Sequence, residues 1–198
     1  MMLIEQTSVP GSALPVQGLK DHLRLGTGFT DDGMQNALIE GYLRAAMAGI
    51  EGRIGKVLIA RRFLWVLEQW RDAQGQALPV APVSSVVSVR LVDAAGGVTV
   101  VDPGRYRLVP DTHRPRLAAS GVLLPTVPMD GKAEVVFDAG FGATWAQVPA
   151  DLSQAVLMLA AEFYERRHEA GITAGLPFSV QALIERWRNV RVLGGGAA

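Results

Sequence analysis

The chain has 198 residues, 49% hydrophobic and 19% charged, enough for one domain with a substantial core or one domain carrying an insertion. Nineteen basic side chains cancel nineteen acidic ones, which argues against a non-specific nucleic-acid binder, because phosphate binding needs a large basic surface. The absence of cysteine excludes disulfides, thiolate metal sites and cysteine nucleophiles.

Residues 1–15 carry Pro10, Gly11 and Pro15 and predict an extended arm. They hold no basic run ahead of an apolar one, so no signal peptide is expected. No apolar stretch reaches the ~18 residues of a membrane span, and no internal repeat is visible. Val16 to Leu25 predicts a short amphipathic helix with Val16, Leu19 and Leu23 on one side. Gly26-Thr27-Gly28 breaks it, and Thr30 and Asp31 offer caps for a long helix to about Ile54.

That long helix has two informative faces. Ile39, Leu43, Ala46, Met47, Ile50 and Ile54 form a core stripe. Gly41, Ala45, Ala48 and Gly52 form a line of small residues on another side. Glycine costs about 1 kcal/mol in a helix relative to alanine. With Gly49 included, the glycines point to close approach of another helix, from this subunit or a neighbour. A loosely specified, partly exposed face is the alternative.

Beyond Gly55-Lys56 the period changes from helical to two. Strands are predicted at Ile59 to Trp70, Val83 to Val92, Val98 to Val101, Tyr106 to Val109, Arg116 to Ala118, Val122 to Leu124 and Lys132 to Phe137. Turns fall at Asp93 to Gly97 and at Asp102-Pro103-Gly104. Val148 to Ala170 is the clearest helix, with Asp151 and Gln154 spaced as a capping box. Leu152, Ala155, Val156, Leu159, Ala160 and Phe163 share a face. Leu157, Met158, Ala161 and Tyr164 widen that face, which places this helix at the centre of the core. Its end is abruptly charged, from Glu165 to Glu169, and Gly171 stops it. Phe178 to Asn189 predicts a closing helix with Val180, Leu183, Ile184 and Trp187 on its apolar side.

Residues for chemistry are sparse. His22, His113 and His168 lie in different elements, without metal-ligand spacing. Phe137 to Gly142 (FDAGFG) lacks the spacing of a phosphate loop or dinucleotide fingerprint and reads as a strand exit. No GxSxG elbow occurs. Asp93, Asp102, Asp111 and Asp138 sit at strand ends or turns, where aspartate bonds backbone. No cofactor, metal site or catalytic residue is expected. Two stretches read as interaction surface. One is the C-terminal segment with Arg186, Trp187, Arg188 and Arg191, since Trp and Arg are enriched at hot spots; a closing helix with Trp187 in the core is the alternative. The other is the proline-rich loop Val109 to Pro128, for which an ordinary irregular connection is the alternative.

The order short helix, long helix, β segment, central helix and closing helix resembles the head–tail connector (adaptor) family of long-tailed bacteriophages and phage-like gene transfer agents. The matching pieces are LKDHLRL, the helix from Asp31 to Lys56, and PVSSVVSVRLVDAAGGVTVVDPGRYRL. VVFDAGFGATWAQVPADLSQAVLMLAAEFYERR and LPFSVQALIERWR complete it, so the resemblance spans nearly the whole chain.

The resemblance implies a non-catalytic subunit of a homo-oligomeric ring, a dodecamer, beneath the portal of a DNA-filled capsid. Such a ring binds the portal protein on one side and the stopper or tail-completion protein on the other. DNA passes through its channel without specific binding, and no membrane is involved. The particle is assembled in the bacterial cytoplasm, with the ring at the portal vertex. Candidate portal contacts are Phe178, Arg186, Trp187, Arg188, Arg191 and Val192. Candidate subunit contacts are Gly41, Ala45, Ala48, Gly52, Arg166 and Arg167. A non-viral protein-interaction module without catalytic activity is the alternative.

The expected fold is α+β: an antiparallel helical bundle of about four helices with a small inserted antiparallel β unit. Residues 1–56 supply the arm and two helices, residues 57–147 the β unit, and residues 148–198 the central and closing helices with a portal-docking tail.

Overall fold

Two hydrophobic cores divide the chain, one among helices and one between two β-sheets. The structure, a computed structural model, describes residues 1–25, 33–167 and 175–188. The expected break at Gly26-Thr27-Gly28, the caps Thr30 and Asp31, and the stop at Gly171 lie outside the described residues.

Among the described residues four α-helices appear: α1 (Val16–His22), α2 (Gly33–Ile54), α3 (Ala150–Glu165) and α4 (Phe178–Ile184). Helix α3 packs against the other three, so it is central, as its wide apolar face predicts. Its Leu152, Val156 and Leu159 are buried, and together they contribute about 5–9 kcal/mol before chain entropy is counted. Phe163 is only partly buried. The predicted stripe of α2, from Ile39 to Ile54, is buried throughout. An antiparallel bundle describes this group poorly. Helices α1 and α4 have seven residues each, about 10 Å, and cannot run alongside the 22-residue α2.

The start of α3 also differs from expectation. Pro149 stands at its N-cap with no side-chain cap, and Asp151 lies inside the first turn. The capping box is one step earlier, where Thr144 and Gln147 close a 3-10 turn at Trp145–Gln147.

The β portion is larger than a small inserted unit. Strands β1 (Met2–Glu5), β2 (Arg61–Leu67), β8 (Lys132–Ala139), β4 (Val83–Val92) and β5 (Val98–Val100) form an antiparallel sheet in that spatial order. Strands β3 (Gly75–Ala77), β7 (Arg116–Ala119) and β6 (Tyr106–Val109) form a second sheet. Strand β1 comes from the arm, ahead of the helices, and pairs Met2 with Val66 and Glu5 with Phe63. The predicted strand at Val122 to Leu124 is absent: Leu124 N–H donates to Ala73 O at 2.7 Å and the Trp70 indole to Pro125 O at 2.8 Å. Those bonds hold this stretch as a tethered loop.

The two cores meet at a seam. Val57 enters the sheet core, while its successors Leu58 and Ile59 enter the helical core. Alongside, Ala60 N–H donates to Gly142 O at 2.7 Å and Phe141 N–H to Leu58 O at 3.2 Å. Glu51 of α2 accepts the Leu58 N–H at 2.7 Å and pairs with Arg61 at 2.6 Å, and Arg61 also reaches Glu5 of β1 at 2.9 Å. Both Arg61 and Glu51 are nearly buried, so removing Arg61 strands the Glu51 carboxylate at a cost of about 3–5 kcal/mol, whereas Arg61 keeps Glu5 when Glu51 is lost.

Gly140 makes the seam possible. Its φ is +138°, and a Cβ there would sit 2.4 Å from Ala60 Cα and 2.5 Å from Ala60 N. Gly140→Ala is therefore predicted to lower unfolding free energy by at least about 2 kcal/mol in urea titration, with an unchanged midpoint contradicting the seam.

Candidate functional site

Helix α4 starts after Pro177, buries Val180 and Ile184, and tightens into a 3-10 turn at Glu185–Trp187. That turn delivers Trp187 edge-on to Phe141, 5.3 Å between ring centroids, and stacks it on His113 at 6.4 Å. The Trp187 indole N–H donates to Asp151 Oδ2 at 2.7 Å. Arg186 pairs with the same oxygen at 2.7 Å and lays its guanidinium 4.9 Å from the Trp187 ring. One carboxylate in the first turn of α3 thus holds both residues. The sequence offered Trp187 as core or as interface; its ring is half-buried and tied inward.

The rest of this segment faces outward. Phe178 is 86% exposed, Arg186 keeps 70% of its side chain exposed, and Arg188 pairs with Glu185 at 3.0 Å. Arg191 and Val192 lie outside the described residues. The proline-rich loop arrives at the same place, because His113 belongs to it. Asp111 shapes that loop by accepting the Arg114 and His113 N–H groups, both at 2.7 Å, and these bonds hold its carboxyl below the usual value. Two stretches that are separate in sequence therefore form one surface. The link, Asp151 to Trp187, spans 36 positions and has no local signal; Asp151 reads as a cap until its partners are seen.

Gly41, Ala45, Ala48 and Gly52 are all exposed, and nothing lies within 4 Å of a Cβ built at Gly41 or Gly52. No helix of the same chain packs on this strip among the described residues. Arg166 pairs with Glu162 at 2.8 Å, and Arg167 stacks 4.4 Å over Tyr164. Tyr164 in turn meets Tyr42 edge-on at 5.9 Å, which sets the charged end of α3 beside the N-terminal half of the strip.

The turn aspartates serve the backbone. Asp93 accepts from Ala95 and Gly97, and Asp102 from Gly104. Asp138 receives two bonds from Arg62, at 2.8 and 3.0 Å, and one from the Ser85 hydroxyl at 3.1 Å. The Arg62 bonds, then Ser85 against the opposing effect of burial, hold its carboxyl below the ordinary 3.8. Among the described residues no group of three or more His, Asp or Glu is placed to hold a metal ion, and no helix is long and apolar enough to cross a membrane. Because the folded value of Asp138 is depressed, its stabilising contribution is present above pH 3.8 and is lost as pH falls through the folded value. Asp138→Asn is predicted to destabilise the chain at pH 7, with the gap to the parent closing below about pH 4 in parallel unfolding titrations. A constant gap would contradict the pairing.

No family model matches the chain, and no curated protein sequence matches it. Solved structures do. A chain in the neck of an empty gene transfer agent particle, computed with C6 symmetry, is 57% identical, with a TM-score of 0.89 over 98% of this chain and 99% of that one. A chain in the virion of a native gene transfer agent particle is also 57% identical, with a TM-score of 0.86 and the same coverage. A chain in the neck of a native particle, computed with C12 symmetry, is 52% identical, with a TM-score of 0.85 over 98% and 99% of the two chains.

Proposed function

The chain belongs to the structural neck proteins of gene transfer agent particles, and we propose that within the neck it is the adaptor subunit, which forms a ring beneath the portal. The observation that carries this reading is identity of 52–57% to chains of such necks over 98% of the sequence. The role is structural, not catalytic. Symmetry of C6 and C12 in the similar necks supports a ring oligomer, here of twelve copies, with heterologous contacts that close on rotation. The ring links the portal protein to the stopper or tail-completion protein and leaves a channel through which DNA passes. A neutral chain suits a channel that does not grip phosphate. Assembly takes place in the bacterial cytoplasm, at the portal vertex.

The portal-facing surface is the C-terminal segment. Phe178 supplies an exposed aromatic anchor, and Arg186, Arg188 and Arg191 supply charge. Trp187 fixes the segment to the body through Asp151, and Val192 is the remaining candidate contact. Subunits meet through the exposed strip Gly41, Ala45, Ala48 and Gly52, where small side chains let a neighbour's backbone approach, with Arg166 and Arg167 at its flank.

A truncation that tests portal docking belongs after Arg188. A cut before Arg186 would also remove both partners of Asp151 and disturb the fold. The chain lacking residues 189–198 and carrying Phe178→Ala is predicted to unfold like the parent yet to lose at least about tenfold in portal affinity. Portal capture at parental affinity would contradict the docking surface.

A further inference from the structure

We propose that neighbouring copies in the ring join their five-stranded sheets edge to edge, β5 of one copy against β1 of the next. This inference rests on the ring reading above. Among the described residues no strand pairs with the outer edge of β1 or of β5, so each presents free backbone N–H and C=O groups. Protection of these edges is light: both strands are short, and Glu5 is the single charged residue in them. Strand β1 reads Met-Leu-Ile-Glu and β5 Val-Thr-Val, with no proline or lysine in either. The register shifts of the sheet lie between β4 and β8, away from both edges.

Both edges also expose apolar side chains. Met2, Leu3 and Ile4 are exposed, although they point to alternate faces of β1. On β5, Val98 is 57% and Val100 66% exposed. Apolar edges guarded this lightly favour pairing with another strand. A two-fold dimer would use one edge twice and leave the other bare. Head-to-tail repetition by rotation brings the two different edges together in every copy and leaves neither open.

Strand direction agrees with this. Four antiparallel pairings separate β1 from β5, an even number, so the two strands run the same way. A rotation about a ring axis that lies along these strands preserves their direction, so β5 meets β1 of its neighbour as a parallel pair. The β1 edge is continuous with the small-residue strip. Glu5 at the end of β1 is tied through Arg61 to Glu51 of α2, and Glu5 and Ala48 line one cleft of about 150 Å³. One side of the subunit therefore offers a strand edge and a helix strip together, and β5 supplies the opposing side.

The cysteine-free chain allows a clean test. Particles are assembled with the double variant Leu3→Cys/Thr99→Cys, treated with a short bismaleimide and run on a denaturing gel. The expected result is a ladder of multimers ending in a closed ring, with each single variant giving monomer alone. Two results would overturn the inference: dimers from Leu3→Cys by itself, which would mean that β1 pairs with its own copy, or monomer alone from the double variant seated in the neck. A second arm uses Leu3→Lys and Val100→Lys, with folding checked by thermal unfolding. Each is expected to enter particles at least about tenfold less than the parent, because it buries an unpaired charge. Parental incorporation of both would equally overturn the edge contact. Absence of the unmodified chain from the neck would instead defeat the adaptor reading itself.

Discussion

The structure depends on the crossing of residues 56–60 with residues 140–142. There the chain alternates between two cores, with Val57 on one side and Leu58 and Ile59 on the other. The crossing brings backbone against backbone, which only a residue without a Cβ permits at Gly140. Around it, Glu51, Arg61 and Glu5 tie the long helix, the second strand and the first strand into one body. The helix–sheet junction is thus held by packed backbone and a nearly buried ion cluster.

The same body decides which surfaces remain open. Asp151 draws Trp187 inward and anchors the exposed Arg186, so the closing segment is seated on the helical core and Phe178 is left standing out. The strip on α2 is bare because the core stripe on its opposite side already takes α1 and α3. The outer strands of the large sheet are bare because the described residues supply no sixth strand to it. Each open surface is what remains after the internal demands of packing have been met.

Much of this was legible in the sequence. The buried faces of α2 and α3 follow from helical spacing, and Val83–Val92 and Tyr106–Val109 fall where alternation and turn residues place them. What was not legible has physical causes. Met2–Glu5 is a strand because β2 offers an edge, not because four residues alternate. Gly75–Ala77 has weak strand propensity and is held by β7. Val122 to Leu124 has strand-forming residues, but its backbone is engaged by Ala73 and its neighbour Pro125 by Trp70. Strands β1 and β3 therefore add to the β portion beyond what alternation alone predicts. In the candidate site, the residue types were visible but their joining was not: His113, Phe141, Asp151 and Trp187 come from four separate stretches.

Several faces of this structural neck component remain open among its described residues. The measurement that bears most directly on this account is electron microscopy of the purified chain, alone and mixed with its portal ring. The account predicts an added ring of density beneath the portal, with the closing segment directed toward it. Portal rings unchanged in every mixture, with no layer of this chain, would contradict it.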